Sequence, residues 1–153
     1  MSPSAHDTLA GRVVPLPATV VERVDEAPGI FTLRLQLDDP AQRSAYRFAP
    51  GQFNMLGLFG AGEVAISIVS DPEEPELISQ TIRSLGRVTN VLRQLRPGDA
   101  VGVRGPFGRG WPLAGIVGRN VLVVTGGLGC TPVVGVINYI LMRRAQFGRL
   151  VIV

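Results

Sequence analysis

The 153-residue sequence has no lysine, one histidine and one cysteine, and each scarcity excludes a class of site. The single cysteine, Cys130, rules out an internal disulfide and any metal or iron–sulfur site built from several cysteines of this chain. The single histidine, His6, excludes metal sites and catalytic triads that depend on histidines elsewhere in the chain. All 15 basic residues are arginine, and Arg143 and Arg144 are the only adjacent pair. The sequence therefore predicts no metal site and no nucleic-acid-binding stripe.

Long apolar runs are also missing. No stretch approaches the roughly 20 residues needed to cross a bilayer, and residues 1–6 lack the basic and apolar regions of a secretory signal. We therefore expect a soluble, cytoplasmic protein without a membrane span. Apolar residues still make up 46% of the chain, enough to bury a core, and the 19 glycines and 12 prolines favour short strands and turns over a helical bundle.

The chain divides into three predicted parts. Residues 1–11 are expected to form a flexible polar tail. Over residues 12–118, apolar and polar residues alternate in short runs separated by turn residues, most clearly from Thr32 to Leu37. About six strands at this spacing are typical of a small antiparallel barrel or sandwich. Within this part Thr89 is predicted to be the N-cap of a short helix, and Tyr46 is expected on the surface of the barrel.

The pattern changes over residues 119–153. The all-apolar run at 121–124 is typical of a strand in a parallel sheet, and residues 150–153 predict a second such strand. Apolar residues at helical spacing lie between them, which predicts a helix with Thr131 as N-cap, Pro132 as its first residue and Gly148 as its C-terminal stop. The pattern therefore predicts a β-α-β unit, the opening of a nucleotide-binding sheet.

The glycine-rich turn at 126–132 is the first candidate binding segment. Free N–H groups at a helix N-terminus favour phosphate, and glycine lets the backbone approach a diphosphate closely. Taken alone, this segment is either a phosphate-binding loop or simply a tight turn. Residues 86–89 form a second candidate anion site, for which an ordinary capped helix is the alternative.

Five segments in register resemble the ferredoxin–NADP reductase superfamily over roughly residues 15–153. Within it, the likeness is to the gamma subunit of cytoplasmic sulfhydrogenases and to the electron-transfer subunits of anaerobic sulfite reductase and dihydroorotate dehydrogenase. The segments are Pro50–Met55, Gly62–Ile68, Gly86–Thr89, Gly105–Trp111 and Gly126–Pro132. The resemblance implies a Greek-key antiparallel β-barrel that binds FAD over residues 12–118. The first β-α-β of a Rossmann-like NAD(P)-binding α/β domain is then expected over residues 119–153.

The resemblance also implies a flavin site on the barrel. The family motif Arg-x-Tyr-Ser falls on the residues 64–67, where Ser67 matches the serine near flavin N5 and is the candidate catalytic residue. Ile66 stands where an aromatic side chain stacks on the flavin in other members. Val64 replaces the motif's arginine, so the sequence leaves open whether the flavin is FAD or FMN. Arg83 is the candidate for supplying the missing charge.

The remaining cofactor positions follow from the same resemblance. One set belongs to the flavin side and its phosphates, and the other is the loop that faces the nicotinamide nucleotide. The flavin-side positions are Val64, Ala65, Ile66, Ser67, Thr81, Ile82, Arg83, Gly86, Val88 and Thr89. The nucleotide-loop positions are Gly126, Gly127, Gly129, Thr131 and Pro132.

The implied function is electron transfer between NAD(P)H and a partner redox enzyme through FAD. The expected partners are a catalytic subunit of hydrogenase or sulfite-reductase type and an iron–sulfur protein. Relatives continue beyond this length and hold a [2Fe–2S] centre in that further part, so the sequence is interpreted as C-terminally truncated. Two alternatives stay open: a stand-alone NAD(P)H:flavin reductase, and a non-catalytic flavin-binding or subunit-interaction fragment that associates through residues 150–153.

Overall fold

The computed structural model describes residues 14–74 and 76–153 of the chain, so the expectations for His6 and for a tail at 1–11 lie outside the described residues. No helix in this part is long and apolar enough to cross a membrane. The strands and helices are β1 Leu16–Ala27, β2 Ile30–Leu37, α1 Pro40–Ala45, β3 Phe53–Leu58, β4 Gly62–Ser67, β5 Ile78–Arg83, α2 Arg87–Leu92, β6 Ala100–Phe107, β7 Val121–Val123, α3 Thr131–Met142 and β8 Leu150–Ile152.

The first six strands form one antiparallel sheet in the order β4-β3-β6-β1-β2-β5. The sheet curls until its two edge strands meet. The side-chain amide Nε2 of Gln80 in β5 donates to the carbonyl oxygen of Ile66 in β4 at 2.8 Å. Just beyond β4, Val69 N donates to the oxygen of Ser79 at 2.9 Å. The predicted antiparallel barrel is thereby confirmed, and the sandwich alternative is wrong.

The barrel core is built from the alternation that the sequence shows. In β2 the side chains of Phe31, Leu33, Leu35 and Leu37 are almost completely buried, whereas Arg34 between them is exposed. Removing each such apolar side chain from water contributes about 1.5–3 kcal/mol. The outward-facing residues of β2 and β5 are available for contacts on the outer surface of the barrel.

Tyr46 lies inside the barrel, which corrects the expectation that it packs on the surface. It is fully buried, and its hydroxyl donates to Oδ1 of Asn54, also fully buried, at 2.7 Å. Burial raises the pKa of Tyr46 far above its ordinary value because the phenolate would lose its hydration, and the hydroxyl therefore remains a donor.

The C-terminal residues form the predicted β-α-β unit. Strands β7 and β8 pair in parallel, with Val121 opposite Leu150, and α3 connects them. Val136 and Ile140 of α3 pack with Leu113 and Phe147 in a small apolar cluster. The single tryptophan, Trp111, bridges the two parts. Its indole lies against Gly51 at the entrance to β3, and it also lines an apolar cavity of about 420 Å³ with β7 and α3.

The ends of α3 differ from the predicted ones. Cys130 occupies the N-cap position, although its backbone angles are already helical. Thr131 is therefore the first helical residue and Pro132 the second. The helix ends at Met142, six residues before Gly148. Gly148 is instead required by a close approach, since a Cβ there would lie 2.8 Å from the carbonyl oxygen of Arg119.

Helix α3 is held against the barrel at two points. Near its start, a Cβ on Gly135 would lie 3.2 Å from the oxygen of Ile68, so glycine permits a close approach to the β4–β5 connection. At its end, Arg143 donates from Nη1 and Nη2 to the two carboxylate oxygens of Asp71 at 3.0 and 3.1 Å. The same guanidinium reaches Glu73 at 2.6 Å and stacks over the ring of Tyr139. The acidic connection after residue 70 is thereby tied to the helix.

Replacing Tyr46 with phenylalanine tests the buried hydrogen bond. The variant leaves Asn54 Oδ1 without its donor in the core, and we expect it to lower the free energy of unfolding by about 1–2 kcal/mol. Chemical denaturation measures the change. The matched control is Tyr139→Phe, a half-buried tyrosine whose ring contact with Arg143 survives the substitution, for which we expect less than about 0.5 kcal/mol. Equal losses in the two variants would contradict this account.

Replacing Asp71 with asparagine tests the ion pair at the end of α3. Hydrogen bonds from Arg143 hold the pKa of Asp71 below its ordinary value of 3.8. The ion pair therefore contributes fully above pH 3.8 and is lost as the pH falls through the lower, folded value. We expect Asp71→Asn to cost about 1–3 kcal/mol at pH 7, and less as the pH drops below 3.8.

Denaturation midpoints between pH 7 and pH 2.5 measure this difference. The control is Glu76→Gln, because the Glu76 side chain is 68% exposed and its pair with Arg43 is long at 3.7 Å. Such a surface pair contributes little. If the difference in denaturation midpoint between Asp71→Asn and the parent chain did not change with pH, the proposed contribution of the Asp71–Arg143 ion pair would be contradicted.

Candidate functional site

A cleft of about 500 Å³ opens where β4, the end of β5 and the start of α2 face the first turn of α3. It collects twelve of the fifteen predicted cofactor positions, and the three that it leaves out are the loop glycines. The lining residues are Glu63, Val64, Ala65, Ile66, Ser67, Thr81, Ile82, Arg83, Leu85, Gly86, Arg87, Val88, Thr89, Thr131 and Pro132. The roles assigned to these positions stay predictions, but the structure brings them to one place.

Strand β4 forms one wall of the cleft. Val64 and Ile66 are half-buried and pack against the barrel core while also lining the cleft. Ala65, between them, is exposed, and Ser67 ends the strand. The hydrogen bond from Gln80 to the carbonyl oxygen of Ile66 fixes the backbone here from inside the barrel. The wall therefore offers a fixed apolar surface with a hydroxyl-bearing residue at one end.

The turn before α2 forms a second wall, and here one prediction is wrong. Gly86, in an extended conformation, is the N-cap, whereas Thr89 is the third residue of the helix. Thr89 is nearly buried, and its hydroxyl reaches back to accept from the backbone N–H groups of Leu85 and Gly86 at 3.0 and 2.9 Å. Its hydroxyl therefore stabilises the turn.

Two arginines give the cleft a positive end. Arg83 lies exposed at the end of β5, and Arg87 begins α2 with its guanidinium near Gly62. Neither belongs to an ion pair formed among the described residues. Arg87 was not among the predicted positions, although it lies inside the Gly86–Thr89 segment that predicted an anion site.

A third arginine, Arg104, does not line the cleft but is paired with Glu63, which does. Arg104 donates to both carboxylate oxygens of Glu63, from Nε at 3.2 Å and from Nη2, and its guanidinium stacks on the ring of Phe107. These hydrogen bonds raise the pKa of Arg104 above its ordinary value. The positive potential of the cleft is therefore left to Arg83 and Arg87.

The three predicted glycines of the glycine-rich loop do not line the cleft, whereas Thr131 and Pro132 at the end of the loop do. Gly127 adopts a positive φ of 56°, and residues 127–130 form a single 3-10 turn. Gly127 and Cys130 instead line a neighbouring cavity of about 340 Å³, which shares Thr81 and Thr131 with the cleft. The predicted nucleotide-loop positions are thus divided between the cleft, which Thr131 and Pro132 line, and the neighbouring cavity, which Gly127 and Thr131 line.

Several curated proteins are similar to this chain, whereas no family model matches it. Sulfhydrogenase 1 subunit gamma of Pyrococcus furiosus is 38% identical over 130 residues, which are 85% of this chain and 44% of that protein. A probable dihydroorotate dehydrogenase B (NAD(+)) electron transfer subunit of Methanocella arvoryzae is 37% identical over 118 residues, 77% of this chain and 40% of that protein. The chain thus spans less than half of these relatives.

Solved structures share the fold. A ferredoxin NADP+ reductase from Neisseria gonorrhoeae, with bound FAD and NADP, superposes with a TM-score of 0.74 at 19% identity, covering 92% of this chain and 57% of that one. Phthalate dioxygenase reductase superposes with a TM-score of 0.74 at 20% identity, over 90% of this chain and 42% of that one. A cytochrome P450 reductase from Amycolatopsis gives 0.73 at 27% identity, over 93% and 44%.

Proposed function

We propose that this chain, which belongs to the ferredoxin–NADP reductase superfamily, binds FAD in the cleft and carries electrons between NAD(P)H and a partner redox enzyme. The observation that carries the proposal is that twelve of the fifteen positions implied by the family resemblance line this one cleft. Relatives named as a sulfhydrogenase gamma subunit and as an electron transfer subunit support a role in electron transfer.

The residues of the cleft fit the two ends of a flavin nucleotide. The half-buried apolar side chains of Val64, Ile66 and Val88 offer a surface for a planar ring system. Arg83 and Arg87 supply guanidinium groups, which bind diphosphate oxygens in pairs of parallel hydrogen bonds. Two arginines suit the diphosphate of FAD better than the single phosphate of FMN.

Bound FAD would supply the exchange between two-electron hydride transfer and single-electron transfer. The chain would supply position and polarity. Ile66 would pack against the ring, Ser67 would offer its hydroxyl to the ring edge, and Arg83 and Arg87 would hold the diphosphate. Thr131 and Pro132, at the start of α3, shield the cleft on the side of the glycine-rich loop, where the nicotinamide nucleotide would approach.

The proposed partner is a catalytic subunit of hydrogenase or sulfite-reductase type, reached through an iron–sulfur protein. Two relatives bear the name sulfhydrogenase subunit gamma and others are electron transfer subunits of dihydroorotate dehydrogenase. Because the chain spans less than half of these proteins, the acceptor and the complete reaction stay proposals for this chain.

An absorbance spectrum tests the function directly. After incubation with FAD and desalting, we expect the purified chain to keep a flavin spectrum that bleaches with NADH or NADPH under anaerobic conditions. Loss of the flavin on desalting, together with reduction of free flavin, would favour the stand-alone reductase. Retained flavin that no nucleotide bleaches would favour the non-catalytic module. A colourless chain would contradict flavin binding.

The two cleft arginines predict a phosphate-dependent affinity. We expect Arg83→Ala and Arg87→Ala each to weaken FAD binding about tenfold, which is about 1.4 kcal/mol, because each removes charge-assisted hydrogen bonds to the diphosphate. Riboflavin, which has no phosphate, should bind both variants and the parent equally. Fluorescence titration measures all of these affinities.

Arg93→Ala is the matched control, since Arg93 lies at the other end of α2 and does not line the cleft. We expect its FAD affinity to equal that of the parent chain. A loss in Arg93→Ala as large as in the cleft variants, or an equal loss of riboflavin binding, would show that general charge or folding is responsible.

A further inference from the structure

The proposed function leaves a proton to be moved. Each NAD(P)H delivers a hydride, which is one proton and two electrons, and the two electrons leave singly for the partner. One proton per NAD(P)H must therefore leave the cleft, or enter it in the reverse direction. The chain has no lysine, and the described residues contain no histidine, so the charged side chains that can accept a proton are carboxylates.

The carboxylate that lines the cleft is engaged elsewhere. Glu63 accepts hydrogen bonds on both oxygens from Arg104, as described above. Both oxygens of Glu63 are therefore already occupied by the guanidinium of Arg104. A second carboxylate, Glu26, does not line the cleft, yet it is connected to the cleft by hydroxyl groups.

The connection runs across three adjacent strands. Thr81 in β5 and Thr32 in β2 are direct partners in the sheet, and their hydroxyl oxygens are 2.8 Å apart. Thr32 Oγ1 donates to Glu26 Oε1 at 2.7 Å. A hydroxyl has one hydrogen and a carboxylate only accepts, so Thr81 must donate to Thr32 while Thr32 donates to Glu26. The order of donors is thus fixed from the cleft outward.

The location of the three residues suits a passage between two spaces. Thr81 lines the cleft, Thr32 is only 7% exposed, and Glu26 is exposed to solvent. Glu26 and Thr81 both line the cavity beside the glycine-rich loop. All three residues line a further cavity of about 430 Å³ between the barrel and α3. The charged residues around that second cavity are Arg34, Asp71 and Glu74, with Arg34 paired to Glu22 and Asp71 paired to Arg143.

We propose that Thr81, Thr32 and Glu26 form a proton relay between the flavin cleft and solvent, an inference that rests on the proposed function. In the outward direction, Thr81 accepts a proton from the cleft and gives its own to Thr32. Thr32 gives its proton to the carboxylate of Glu26, which releases it to water. Each hydroxyl gains and loses one proton, no electrons move, and rotation of the hydroxyls restores the starting arrangement. Thr32 is a positioning and relay residue, since it does not line the cleft.

The test follows protons separately from electrons. The FAD-loaded chain is photoreduced and then oxidised by ferricyanide, which accepts electrons and no protons, while an indicator dye reports proton release in weak buffer. We expect Thr32→Val and Glu26→Gln to slow proton release at least tenfold, within the usual range for general acid–base groups. Thr32→Ser keeps a hydroxyl and should restore the parent rate. The FAD affinity should be the same in all of these variants.

Glu74→Gln is the matched control, because Glu74 lines the same cavity as Glu26 and takes no part in the hydrogen bonds that the described residues form with the threonine pair. In the flavin-free chain, the Thr32 hydroxyl proton should give an NMR signal protected from exchange, and Glu26→Ala should abolish it. Unchanged proton release in Thr32→Val and Glu26→Gln, with FAD still bound, would overturn the relay alone. A chain that takes up no FAD would overturn the proposed function and the relay together.

Discussion

Closure of the barrel between β4 and β5 is the constraint on which the cleft depends. These strands are the two edges of the sheet, and an unpaired edge inside a protein would leave backbone groups without partners. The fully buried side chain of Gln80 solves this at one point by donating to the carbonyl oxygen of Ile66. The same bond fixes the wall of the cleft at Ile66 and keeps Thr81, the next residue of β5, turned to the outside. Two adjacent residues of β5 therefore serve different purposes: Gln80 closes the barrel, and Thr81 lines the cleft.

The second part of the chain meets the barrel through contacts that are close and directional. Gly135 removes the side chain that would hold α3 away from the β4–β5 connection, and Arg143 ties the far end of the helix to Asp71. A helix fixed at both ends places Thr131 and Pro132 at the cleft as a consequence. Ionic and steric contacts distant from the cleft therefore decide its shape on this side.

The sequence predicted what depends on regular periodicity and missed what depends on tertiary contact. The alternation from Thr32 to Leu37 predicted antiparallel strands in a barrel or sandwich, and the family resemblance favoured the barrel. The apolar runs around the glycine-rich turn predicted the β-α-β unit. Caps were harder to predict. The Thr89 hydroxyl accepts backbone hydrogen bonds from the third helical position instead of the N-cap, and Cys130 occupies the N-cap predicted for Thr131 without a side-chain hydrogen bond. Tyr46 and Gly148 could not be placed, since a buried partner for the hydroxyl and a nearby carbonyl are visible only in three dimensions. Arg87 was missed although its segment was recognised, because only the fold shows that its side chain turns toward the cleft.

The position of Trp111 gives the molecule an optical property of its own. It is the only tryptophan in the sequence, and it lies where the entrance to β3 meets β7 and α3. About half of its surface is exposed, so its emission responds both to water and to the neighbouring apolar side chains. Intrinsic fluorescence of this protein therefore reports one joint between barrel and β-α-β unit, with no background from a second indole. Any loosening of that joint would be seen without attaching a label.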